Sequence, residues 1–149
     1  MTRFVVFAAL FQTLTAHARG PVHQLPFAPD TSLERYAHDL IGQNSADRLY
    51  AARVLHRRVR EAWRTSVKDS SDIRVIEAKQ TLADFDTLVA PKCIRQLKVS
   101  NTLRPCASIL GMLETEAAVD ALKWQLGQEN SRRNRRVINR ALGRIQASQ

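Results

Sequence analysis

Arginine is the residue type whose spacing first suggests chemistry. Arg132, Arg136, Arg140 and Arg144 stand four residues apart, and Arg53, Arg57, Arg60 and Arg64 follow one another at steps of four, three and four. On an α-helix such intervals put each series on one face. A row of guanidiniums is a row of planar, permanently charged forks that match carboxylate or phosphate oxygens. The two rows therefore read as binding residues for something anionic, such as an acidic protein, a surface polysaccharide or an anionic lipid. The plainer reading is two solvated helix faces whose charge is incidental. Nucleic acid is disfavoured, because no aromatic residues interleave with the basic positions to stack on bases.

No other constellation points to catalysis. The histidines are His17, His23, His38 and His56, with no H-x-x-x-H or H-E-x-x-H spacing between them. His56 falls on an apolar stripe and reads as a packed core residue. The serines lie in no G-x-S-x-G elbow, no glycine-rich phosphate loop is present, and spacing singles out no pair of acids for general acid–base work. The expectation is a protein without catalytic residues, metal or cofactor. Trp63 falls on an apolar stripe and reads as core. Trp124 lies off the main stripe and is a candidate partner anchor.

The compartment follows from the first residues. Arg3, the apolar stretch from Phe4 to Leu14 and the small residues Ala16 and Ala18 read as a secretory signal peptide over residues 1–18. Its apolar stretch is far shorter than the ~20 residues that span a bilayer. No later segment is apolar enough to span either, so the expected location is periplasmic or secreted. Removing Arg3 with the leader lowers the net charge from +9 to +8. In an oxidising compartment an even count favours pairing, so Cys93 and Cys106, the two cysteines of the chain, are expected to form a disulfide between neighbouring helices, the alternative being two separate buried thiols. Without C-x-x-C spacing they are not a catalytic redox pair.

The elements that must carry these residues are helical. With 149 residues, 44% hydrophobic, only 5 Gly, 5 Pro and 6% aromatic residues, the chain suits a single all-α domain and not a sandwich or barrel. Three prolines mark residues 19–30 as an extended leader. From residue 31 onward apolar positions recur at helical spacing. A first helix is expected from a cap at Ser32 to Gly42, and a second over residues 46–64. A third, capped by Asp72, has apolar positions at Ile73, Ile76, Leu82, Phe85 and Val89 that are less regularly spaced. A short fourth starts at Pro91. Three more cover residues 102–113, 115–126 and 131–145, with turns at Glu114 and residues 127–130. The helix over 115–126 carries apolar residues on two faces and should be covered on both sides.

Self-comparison adds a repeat. Residues 116–126, a polar turn, and then Arg135 leading to Ala141-Leu142-Gly143-Arg144-Ile145 resemble a HEAT-like repeat of the short type named after the phycobilisome lyases. Ile109-Leu110-Gly111 repeats the second-helix ending, and Arg48 to Leu55 repeats the arginine-to-leucine spacing with His56 in place of the glycine. The turn holds Gln128-Glu129 where the pattern has a plain Asp, Arg104 lies one residue closer to its Leu-Gly than Arg135 does, and residues 64–90 fit no unit. The resemblance implies a short α-solenoid of helical hairpins over residues 31–149, because one hairpin cannot bury both apolar faces alone. It further implies that Arg48 and Arg135 bond neighbouring turns, and that both arginine rows line the concave inner surface. Together these readings describe an exported, non-catalytic scaffold that binds another protein or an acidic envelope polymer. The alternatives are a lyase-type accessory protein and a structural envelope protein whose basic surface is incidental.

Overall fold

In the computed structural model the described residues are 31–68 and 72–149, and among them every regular element is helical. The expected signal peptide and extended leader lie outside these residues, as does the side chain of Ser32. The elements are α1 (Thr31–Asp39), α2 (Ser45–Ser66), α3 (Ile73–Leu88), α4 (Ala90–Gln96), α5 (Leu103–Leu113), a 3-10 turn (Glu116–Ala118), α6 (Val119–Gln128) and α7 (Arg132–Ala147).

Local chemistry sets their ends. Asn44 accepts from the Ala46 amide at 2.9 Å, Asp72 from the Arg74 amide at 2.9 Å, and Ser131 from the Asn134 amide at 3.4 Å, so three helices begin on side-chain caps. Pro91 sits in the first turn of α4; it lacks the N–H a continuing helix would use, so α3 stops and α4 restarts after Val89. Glu114 ends α5 in the left-handed region, with φ 57°. The expected helix from residue 115 instead opens as a 3-10 turn, tied to α3 by a 2.6 Å hydrogen bond from Thr115 Oγ1 to Asp86 Oδ1.

Three helices form a row. α5 packs between α2 and α7, while α1 and α3 also pack on α2, α4 on α5, and α6 on α7. The core runs along this row through Leu55 and Val59 of α2, Leu103, Ile109 and Leu110 of α5, and Ile138, Ala141 and Ile145 of α7. No charged side chain is buried among the described residues; the buried polar ones are Gln96, Thr102 and Gln125. Thr102 donates to the carbonyl oxygen or side-chain oxygen of Gln96, each 3.2 Å away, and so closes the α4–α5 turn.

The row is tightest where Gly111 faces α7. A Cβ on Gly111 would lie 2.6 Å from the Ala141 Cα, whereas one on Gly143 would meet nothing within 4 Å. Both glycines occupy the same place in the Leu-Gly pattern, but only the inner one has a neighbour.

Several expectations need correction. On α3 the buried face is Val75, Ala78 and Phe85, while Ile73 and Ile76 are 63% and 56% exposed, because α2 and α4 cover a different side of that helix from the one its isoleucines suggested. Helix α6 buries Leu122 and Gln125 while its Trp124 is exposed, as is Ala117 in the 3-10 turn before it. Cys93 and Cys106 are not bridged; both are free and buried, on α4 and α5. Burial, together with the adjoining Cys106 thiol, pushes the Cys93 pKa well up.

Candidate functional site

The row of α2, α5 and α7 carries an open cleft of about 290 Å³. α2 contributes Leu49, Arg53 and His56; α5 and the turn before it contribute Asn101, Arg104, Pro105 and Ser108; α7 contributes Val137, Arg140, Ala141 and Arg144. The helical period explains the selection. Residues 49, 53 and 56 fall at i, i+4 and i+7, and residues 137, 140, 141 and 144 at i, i+3, i+4 and i+7, so each set is one stripe of its helix; residues 104, 105 and 108 continue the same spacing on α5 from Asn101 in the turn before it. Where three such stripes meet, four arginines enter the lining and no acidic residue does.

None of these four guanidiniums pairs with a carboxylate among the described residues; the ion pairs there are Arg35–Asp39 and His38–Asp39, at the far end of α1. Like charges gathered on one concave surface repel, and low-dielectric walls concentrate their field. Arg144 is held in place, with its guanidinium carbon 4.7 Å from the centre of the Trp63 ring. Trp63 packs against the core as expected, but it is only half-buried, and its ring serves as the platform under that arginine.

His56 is not the core residue its stripe suggested. It stands half-buried on the cleft wall with Nε2 3.0 Å from Ser108 Oγ, joining α2 to α5. Burial first, and the charge of Arg60 second, lower its pKa, which favours the neutral imidazole. Asn101 Nδ2 donates to the Ser45 carbonyl at 3.4 Å and ties the α4–α5 turn to the start of α2; its Oδ1 is buried without a partner.

Of the residues expected to bind, the cleft brings together Arg53, Arg140 and Arg144. Arg57, Arg60, Arg64, Arg132 and Arg136 are exposed and do not line it. Trp124 is 54% exposed and lies elsewhere, with Lys98 Nζ 5.3 Å from its ring centre.

Arg104 is the cleft arginine that the sequence did not single out. Arg48 donates from Nη1 to the Gly42 and Gln43 carbonyls at 2.7 Å each, and Arg135 from Nη1 to the Leu126 and Glu129 carbonyls at 2.7 and 3.1 Å. Each holds the turn before its helix. Arg104 would be their counterpart, but it is one residue nearer its Leu-Gly. One residue is about 100° of helix rotation, enough to carry a side chain off the turn and onto the cleft face. The one-residue offset was the available signal. Beside Arg135, Glu129 accepts from the Ser131 amide at 2.8 Å and from Asn134 Nδ2 at 3.0 Å, and these bonds hold its carboxyl below the usual range.

The arrangement can bind and orient an anion. Among the described residues no group of His, Cys, Asp and Glu is placed to hold a metal ion, and no helix is long and apolar enough to cross a membrane. Compared with protein-family models, curated proteins and solved structures, the chain matches none.

Proposed function

We propose that this chain is an exported, non-catalytic helical scaffold, built as a short solenoid of HEAT-like hairpins, that binds an anionic partner through the concave face of α2, α5 and α7. One observation carries the binding reading: four arginines from three helices line a single cleft that no carboxylate neutralises. Binding repays the mutual repulsion of those charges, and guanidinium forks suit oxygen anions.

The solenoid reading draws support from the row itself. α2, α5 and α7 are the second helices of the three units, and each packs on the next in chain order. Arg48 and Arg135 hold corresponding turns, and the inner glycine contacts the following unit while the outer one contacts nothing. The solenoid architecture sets the spacing of the basic side chains, and the partner's acidic groups dock across it.

The test is retention of the chain on an anionic matrix as salt is raised. The double variant Arg104→Glu/Arg140→Glu should elute at much lower salt than the parent. Arg74→Glu/Arg95→Glu makes the same change in net charge on exposed positions of α3 and α4, and should elute close to the parent. Equal loss in both would reduce retention to net charge and remove the cleft from the account.

A further inference from the structure

The cleft does more than attract negative charge, because its size, charge and walls restrict what can fill it. Its volume of about 290 Å³ lies at the small end of ligand pockets, which begin at ~300 Å³, and matches a small ligand or one terminal group of a larger one. Along its lining stand Arg53, Arg104, Arg140 and Arg144, four permanent charges from three helices. A single carboxylate brings one negative charge and two oxygens, and leaves most of this field unanswered. A phosphate monoester brings a charge of about −1.5 to −2 on one centre with three strong acceptor oxygens.

Two further features favour an ester over the bare ion. Leu49, Pro105, Val137 and Ala141 also line the cleft, so a ligand that reaches the arginines lies against apolar walls. The Ser108 oxygen stands 3.0 Å from His56 Nε2; with the imidazole proton on Nε2, His56 donates to Oγ and leaves the hydroxyl proton of Ser108 for an incoming oxygen. Arg144 is already oriented by the Trp63 ring, which lowers the cost of ordering one of the longest side chains.

We propose that the cleft is a binding site for a phosphate monoester carried on a small apolar body, held by Arg53, Arg104, Arg140 and Arg144, with Ser108 donating a further hydrogen bond. This proposal rests on the reading of the concave basic face as the binding surface, and specifies the chemical group that the face receives. The ester is either soluble or the headgroup of a lipid; the recognised chemistry is the same dianionic group next to carbon.

Calorimetric titration of the full chain with phenyl phosphate, inorganic phosphate and benzoate tests it. Phenyl phosphate should bind about tenfold or more tightly than benzoate, which offers the same ring with one charge, and more tightly than inorganic phosphate, which lacks the ring. Arg104→Ala and Arg140→Ala should each weaken phenyl phosphate about tenfold, the scale of one charge-assisted hydrogen bond. Arg104→Lys, which keeps the charge and loses the fork, should also weaken it while leaving the circular dichroism spectrum unchanged. Vesicles of phosphatidylcholine containing phosphatidic acid separate the sources. Vesicle binding displaced by phenyl phosphate assigns a lipid headgroup, and phenyl phosphate binding without vesicle binding assigns a soluble ester; both support the site.

Benzoate binding as well as phenyl phosphate, or a glutamate-rich peptide binding while phenyl phosphate does not, would overturn the proposal. Salt-dependent retention on the anionic matrix that still depends on Arg104 and Arg140, together with no phenyl phosphate binding, would sink this inference and leave the wider one standing. Loss of both would sink both.

Discussion

Replacing Gly111 and Gly143 by alanine, one at a time, makes the same chemical change at matching places in α5 and α7 and should move stability in opposite directions. In a helix interior alanine is favoured over glycine by about 0.8–1.0 kcal/mol, and that gain is common to both. At Gly143 nothing opposes it, because the new methyl meets no atom within 4 Å. At Gly111 the methyl would lie 2.6 Å from the Ala141 Cα and 2.8 Å from its Cβ. Those atoms belong to the backbone and to a side chain with no rotamer to change, so α5 and α7 must separate. Overpacking of this kind costs roughly 1–3 kcal/mol. Because the contact is far inside van der Waals distance and sits beside buried Leu110 and Ile138, the upper half of that range applies. Gly111→Ala should therefore destabilise by about 1–2 kcal/mol net, while Gly143→Ala stabilises by up to about 1 kcal/mol. Urea unfolding followed by circular dichroism measures both, with the midpoint shifting and the slope unchanged. Equal shifts, or stabilisation by Gly111→Ala, would refute the close approach of the two helices and with it the packing that aligns the α5 and α7 arginines.

The remaining predictions concern the cysteines and His56. Native protein should show almost no reaction with a thiol reagent at neutral pH, and the thiols of Cys93 and Cys106 should both titrate once the chain is unfolded, because both are buried and the Cys93 pKa is raised; fewer than two thiols in denatured, unreduced protein would show a bridge. The folded-state pKa of His56 lies below its unfolded value near 6.5, so the unfolded chain takes up the proton more readily. The stability contributed by its neutral form is fully present above that value and is lost as pH falls from about 6.5 toward the folded pKa. His56→Gln, which can keep a bond to Ser108 without titrating, should flatten that part of the stability curve; an unchanged slope would place the titration elsewhere.

The readability of this chain depends on distance along the sequence. Helices were legible because their signals are local: Asp72 and Ser131 cap α3 and α7, Pro91 opens α4, and Glu114 ends α5. Arg48 and Arg135 were legible for the same reason, since each bonds carbonyls within nine residues of itself. The α3 face was misjudged because that helix is hydrophobic on more than one side, and which side is buried depends on where α2 and α4 lie. His56 and Trp63 share the apolar stripe of α2 with Leu55 and Val59. Only the position of α5 and α7 beside that stripe places His56 on the cleft wall while Leu55, Val59 and the partly buried Trp63 belong to the core.

The arginines divide in the same way. By itself the sequence determined that they form helical rows, because a period of 3.6 residues turns intervals of three and four into one face. It determined too that the chain is helical and that no familiar catalytic spacing is present. Tertiary structure alone decided which arginines act together. Arg53, Arg104, Arg140 and Arg144 are separated by up to 91 positions and converge because α5 lies between α2 and α7, close enough at Gly111 for backbone contact. Their neighbours in the same rows, Arg57, Arg60, Arg64, Arg132 and Arg136, do not line the cleft. A row follows from the geometry of one helix; a cleft requires three helices to pack, and the contacts that pack them lie far apart in the chain.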